Sequence, residues 1–250
     1  MLYLKALIPK VYKKCWRPTM VDATPNLEAA LSCIAALRAT RRHPDAHRWV
    51  VGIGGIPASG KSTCAALLAA AVNDFDCVRC CTVVSMDGFH FSRAELDAMG
   101  NPAEAHRRRG AHWTFDLPKF ASFVQSLAKT SRVRGAPTFD HAVGDPCAAE
   151  EKDAIPPEVT IVLVEGLYCL LSEPAEWAAQ IRDQFDARIM VECSVETAAK
   201  RIIGRHVATG VAADAASAKL RWESSDLLNA EFICAHLDCA SVDASIVNDV

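Results

Sequence analysis

Residues 49–63 read Trp49-Val50-Val51-Gly52-Ile53-Gly54-Gly55-Ile56-Pro57-Ala58-Ser59-Gly60-Lys61-Ser62-Thr63, and this stretch decides the fold. Its first five residues are a short apolar run of the kind that forms a buried parallel strand. Glycines follow, and residues 61–72 are rich in Ala and Leu, as expected of a helix. Gly55 to Ser62 complete the pattern G-x-x-x-x-G-K-[ST], which average composition would produce by chance in about one chain in a hundred of this size. Gly55 and Gly60 let the backbone curl and approach an anion where a side chain would block it. The curled backbone N–H groups of the loop, which runs through Ile56, Pro57, Ala58 and Ser59, and the helix start at Lys61 to Thr63 together form an anion cradle. Lys61 suits the β and γ phosphates of a nucleoside triphosphate, and the Ser62 hydroxyl suits Mg²⁺. The overlapping Gly52-x-Gly54-x-x-Pro57 lacks the third glycine of a dinucleotide fingerprint.

Outward from this stretch, apolar runs at 80–86, 159–164 and 187–191 predict further buried strands, and Ala244–Val247 a last short one. Helical spacing predicts helices over Leu117–Lys129, 173–185, 195–209 and 220–236. Ahead of the first strand, Asp22 or Thr24 with Pro25 and Glu28 signals a helix start, and Leu27, Ala30, Leu31, Ile34 and Leu37 continue it to Arg41, Arg42 and His43. Strand and helix in alternation predict an α/β fold: a doubly wound parallel sheet of about five strands, with helices on both faces. Segments 88–116 and 133–157 are polar and break the alternation. They read as long loops beyond strand ends, where open α/β sheets bind ligands.

The 250 residues are 51% hydrophobic and 23% charged, an ordinary globular balance that excludes disorder, collagen and coiled coil for the whole chain. With 27 basic and 30 acidic residues the net charge is −3, so no overall positive field draws it to nucleic acid or membrane. No apolar run is long enough to span a bilayer. The eleven cysteines are scattered and odd in number, which reads as reduced thiols in a cytoplasmic setting. Residues 1–21 form a basic extension, with Lys5, Lys10, Lys13, Lys14 and Arg17, and organellar targeting is the competing reading of it. Residues 22–250 read as one domain.

Two acids directly follow buried strands: Asp87 in Val83-Val84-Ser85-Met86-Asp87-Gly88 and Glu165 in Val162-Leu163-Val164-Glu165-Gly166. Parallel strands end on one rim, so both carboxylates should emerge beside the anion cradle. Phosphoryl transfer to an alcohol needs a base for the hydroxyl proton and an acid that orients Mg²⁺. Asp87 is assigned the first role, and Glu165 the second together with Ser62.

These segments resemble the phosphoribulokinase, uridine kinase and pantothenate kinase group of P-loop kinases. The resemblance rests on GIPASGKST (55–63), SMDGFH (85–90), RRRGAHWTFD (107–116), PTFDHAVGDP (137–146), VLVEGLY (162–168) and AAKRIIGRHVATG (198–210). It implies transfer of the γ-phosphoryl group of ATP to a hydroxyl of a small molecule, with Mg²⁺. It matches Asp87 to the catalytic carboxylate, Glu165 to the Walker B-type acid, and Arg201 and Arg205 to a lid helix within about 198–226. It places His90, Arg109, Asp140 and His141 in the acceptor region, while Trp113 and Phe115 read equally as a stacking platform or as loop anchors. A homodimer is compatible with this reading.

The acceptor stays open among nucleoside, pantothenate-like and sugar hydroxyls. Segment 88–116 shows no alternating hairpin pattern, which departs from the nucleoside kinases. An NTP-hydrolysing regulatory protein is the rival class: Asp97-x-x-Gly100 imitates a switch motif but follows no strand, and no Asn-Lys-x-Asp is present. A nucleic-acid enzyme ranks lower, since Arg107-Arg108-Arg109 is the dense basic cluster beyond the extension. Cys77-x-x-Cys80 has metal-like spacing, but nothing completes four ligands.

Overall fold

The computed structural model describes residues 25–40, 47–76, 79–140 and 142–249. The basic extension, the start and end signals at Asp22, Thr24 and Arg41 to His43, Cys77 and His141 lie outside the described residues. Strand β1 (Trp49–Gly54) pairs in parallel with β5 (Ile161–Glu165) on one side and β6 (Ala187–Glu192) on the other. Strand β2 (Cys81–Ser85) adds beyond β5, and β7 (Ala244–Val247) beyond β6, giving the order β2-β5-β1-β6-β7. The predicted five-stranded parallel sheet is therefore present.

Alternation along each strand builds the two cores. Val51, Ile53, Ile161, Leu163 and Ile189 point to one face, where α1 (Glu28–Ala39) and α2 (Lys61–Asp76) cover them. Val50, Val162 and Val164 point to the other face, against α5 (Leu117–Lys129), α6 (Ala175–Gln180), α7 (Val195–Ala208) and α9 (Leu227–His236). Every residue of β5 is buried, which is why the strand is continuously apolar, rather than alternating, up to Glu165 at its end. Each such Val, Leu or Ile contributes about 1.5–3 kcal/mol by leaving water.

The two polar segments are not the long loops expected. Segment 88–116 folds into short helices α3 (Arg93–Asp97) and α4 (Pro102–Arg107), flanked by 3₁₀ turns at Met86–Phe89 and His112–Thr114. Ser92 and Glu95 form a capping box on α3, and Asn101 caps α4 ahead of Pro102. Helices of five and six residues are too short to show hydrophobic periodicity, which is why the segment reads as a loop. In the second segment, β3 (Thr138–Asp140) and β4 (Asp145–Cys147) pair as an antiparallel hairpin. The helix expected over 173–185 is the shorter α6 followed by a 3₁₀ turn. That expected over 220–236 begins earlier, as α8 (Ala215–Arg221), and passes through one π-helical turn (Trp222–Asp226) into α9. Asp214 caps α8.

Candidate active site

Because β1, β2 and β5 run in parallel, their C-terminal ends lie on one rim. Pairing sets Ile53 level with Glu165, and Glu165 level with Ser85. Of the two strands that carry the acids, β5 is the direct neighbour of β1 and β2 lies one strand further out, so both acids sit on the same side of the cradle. Between β1 and α2 the chain curls through Gly55 at φ +156° and Gly60 at φ +91°, with Ala58 at φ 59°. A Cβ at Gly55 would meet the Val191 carbonyl at 2.6 Å and Ser59 Oγ at 2.7 Å, so the loop is packed against the end of β6.

Lys61 opens α2, is 8% exposed, and donates from Nζ to the Ile56 carbonyl at 2.8 Å. Burial pushes its pKa down, while the charges of Glu165 and then Asp87 hold it up. Glu165 ends β5 and is 5% exposed. Burial pushes its pKa up and the Asp87 charge adds to that, against hydrogen bonds from the Ser85 and Ser62 hydroxyls and the Lys61 charge. Asp87 follows β2 in the 3₁₀ turn, its N–H donating to Ser85 Oγ at 3.3 Å. One ammonium, two carboxylates and two hydroxyls thus meet on the rim. Asp87, Glu165, Ser62 and Ser85 also line a cleft of about 880 Å³ whose far wall includes Pro137 to Phe139 and Lys152 to Pro156.

The helical segment after β6 reaches over the same loop. Arg201 Nη1 donates to the carbonyls of Ala58 and Ser59 at 3.3 and 3.5 Å, and Arg205 is close enough for its charge to act on Lys61. Among the described residues, no three His, Cys, Asp or Glu side chains converge as a metal cage. A hydroxyl and a carboxylate are still the hard oxygen donors that Mg²⁺ takes from protein when phosphates complete its shell, so Ser62 and Glu165 fit that ion.

The remaining acceptor candidates lie behind the cleft wall. His90 Nδ1 is 2.8 Å from the Asp87 carbonyl, and its ring packs on Phe115 and Phe139 with centroids at 3.9 and 5.0 Å. Arg109 bonds the Gly144 carbonyl, the Phe91 carbonyl at 2.7 Å and Asp145 at 2.8 Å, and lies over Phe139 at 5.2 Å. Asp140 accepts from the N–H groups of Ala142 and Val143 in the hairpin turn. These three brace the hairpin that presents Thr138 and Phe139 to the cleft. Phe115 is a buried anchor, whereas Trp113 is 40% exposed.

Sequence reasoning missed Ser85, whose signal was its place two residues before Asp87, and Cys169, a fully buried thiol beside Lys61 and Glu165. It also missed Asn248, which reaches the loop from beyond β7, where no motif marks it. Cys80 and Cys81 are buried free thiols. Among the described residues no helix is long and apolar enough to cross a membrane.

Comparison with known proteins agrees with this fold. The model of the phosphoribulokinase / uridine kinase family matches residues 50–242. A Schizosaccharomyces pombe protein provisionally named a uridine kinase is 40% identical over 189 residues, 74% of this chain and 78% of its own length. The structure of a Silicibacter protein, provisionally described as a fructose transport system kinase, matches with a TM-score of 0.72 at 31% identity, covering 87% of this chain and 97% of that one. The Saccharomyces cerevisiae YFH7 structure matches with a TM-score of 0.73 over 89% of this chain and 99% of that one; at 21% identity the likeness is one of fold.

Proposed function

The chain belongs to the phosphoribulokinase / uridine kinase family of P-loop kinases, and on that premise we propose that it transfers the γ-phosphoryl group of ATP to a hydroxyl of a small molecule held in the 880 Å³ cleft. The observation that carries this reading is the meeting of Lys61, Asp87 and Glu165 on one rim, each within the others' electrostatic reach.

The chemistry assigned to each residue follows from its position. The loop from Gly55 to Thr63 receives the triphosphate through its backbone N–H groups, and Lys61 adds a charge buried enough to act in low dielectric. Ser62 and Glu165 would hold Mg²⁺, which when bound neutralises phosphate charge. Asp87, half-buried at the head of the cleft, accepts the acceptor's hydroxyl proton as that oxygen attacks phosphorus and ADP departs. Arg201, bonded to the Ala58 and Ser59 carbonyls, and Arg205, within electrostatic reach of Lys61, supply positive charge from the lid segment for the group being transferred.

The cleft carries hydroxyls, carboxylates and the Phe139 ring, which suits a polar acceptor. Nucleosides, pantothenate-like alcohols and sugars are the classes to screen. The test is ADP release from ATP measured across such a panel. A phosphotransferase gives slow hydrolysis alone and a large rise with its acceptor. Equally fast hydrolysis without any acceptor, unchanged in D87N, would instead favour a regulatory NTPase.

A further inference from the structure

Asn248 lies just beyond β7, at the opposite end of the sequence from the phosphate loop, yet it is 7% exposed and packed against that loop. Its Nδ2 donates to the Ser59 carbonyl at 2.7 Å, in a buried hydrogen bond. Its own backbone N–H donates to the Glu192 carbonyl at 2.9 Å, so the amide is carried on the rim of β6 rather than on a free end. A Cβ at Gly60 would overlap the Asn248 amide, which is a reason beyond φ for glycine there. The same Ser59 carbonyl takes a second, longer bond from Arg201 at 3.5 Å.

A peptide unit is planar and trans, so its C=O and N–H point in opposite directions. Fixing the Ser59 carbonyl toward Asn248 therefore aims the Gly60 N–H the other way. That N–H makes no backbone hydrogen bond among the described residues, whereas the Ser59 N–H is already taken by the Ile56 carbonyl at 3.2 Å. The Ser59 hydroxyl is likewise buried without a partner. Left unheld, the 59–60 peptide could rotate through the φ freedom of Gly60, turning a carbonyl oxygen toward an incoming phosphate.

We propose that Asn248 is a positioning residue for nucleotide binding: by holding the Ser59–Gly60 peptide it keeps the Gly60 N–H aimed into the phosphate cradle. The proposal rests on the reading that this loop binds the phosphates of a nucleotide. It places the action of Asn248 on the phosphates rather than on the base.

The test compares N248A and N248L with wild type, by calorimetric binding of ATP and of inorganic tripolyphosphate, with thermal unfolding alongside. Leucine approximates the shape of asparagine, cannot donate to a carbonyl and adds no charge beside the phosphates, so it covers the case in which alanine fails to fold. The expected result is a rise of about tenfold in Kd for both ligands, the equivalent of one buried hydrogen bond at about 1.4 kcal/mol per decade. Weaker ATP binding with unchanged tripolyphosphate binding would place Asn248 on the base and overturn the proposal. Unchanged affinity for both, in folded variants of a wild type that binds them, would overturn it as well. If wild type itself binds neither, the phosphate-loop reading fails first and takes the proposal with it.

Discussion

Lys61 Nζ lies 2.8 Å from the carbonyl oxygen of Ile56, inside the loop that Lys61 itself closes. The ammonium is thus held over the cradle by backbone rather than by a side-chain ion pair, and a phosphate oxygen can replace the carbonyl without breaking a salt bridge. K61A is expected to lower kcat/KM for ATP by roughly 100-fold or more, as for loss of one preorganised charge in a buried site. Its urea unfolding midpoint should stay close to wild type, because a buried ammonium is itself costly. K61R should not rescue, since a guanidinium exceeds the space at a position only 8% exposed.

Asp87 and Glu165 are both carboxylates on the rim, and their substitutions should separate their roles. D87N keeps the turn, because the hydrogen bond to Ser85 comes from the Asp87 backbone, so ATP affinity should change less than about threefold. Acceptor-dependent turnover should fall by about 10²–10⁴-fold, the range for loss of a positioned base. E165Q should instead raise the Mg²⁺ concentration needed for half-maximal rate. Equal effects of both substitutions on Mg²⁺ demand would merge the two roles into one.

Much of this site was legible because its parts are local. The loop is nine consecutive residues, and each acid directly follows an apolar run, so parallel pairing alone brings them to one edge. The acceptor side was not legible, because its wall is made by tertiary contacts. His90, Arg109 and Asp140 look like ligand residues in sequence, but the structure turns their polar groups toward backbone and, for Arg109, toward Asp145, with His90 and Arg109 packed on Phe139. Asn248 and Ser59 are 189 positions apart, and no pattern in one chain links them.

Arg48 shows the same limit, and it yields a stability prediction. It is 1% exposed, with its guanidinium bonded to the carbonyls of Leu127, Thr130, Ser131, Ile155 and Pro156. It closes the C-terminal end of α5 from outside the helix and ties it to residues 155 and 156, which line the cleft. R48M, similar in length, takes the shared donor from the Leu127, Thr130 and Ser131 carbonyls, while those of Ile155 and Pro156 keep the N–H groups of Val133 and Val159, and it should cost about 1–3 kcal/mol in urea denaturation. R48K should recover little, because one ammonium cannot serve carbonyls spread across two segments.

Acid should loosen the contacts around the segment after β6, through two histidines. His112 stacks on Phe232 of α9 with centroids 4.3 Å apart, and burial, then the neighbouring charges of His236 and Arg108, pushes its pKa below the usual 6.5. His206 of α7 is buried with Nδ1 unpartnered, and burial, then Arg221 and Arg205, pushes it down as well. A base with a lowered native pKa binds its proton more readily when unfolded. Its contribution is therefore intact above pH 6.5 and is lost as pH falls from there toward the lowered native value. Glu165, Asp186 and Asp226, raised by burial, act with the opposite sign, since the native state takes up their protons first. The variant comparison, rather than the raw curve, then isolates the histidines. The loss in urea midpoint between pH 7.5 and 5.5 should shrink in H112F, where the stacked ring remains but cannot titrate, and shrink further in H112F/H206L. An unchanged pH dependence in the double variant would move the acid sensitivity to other groups.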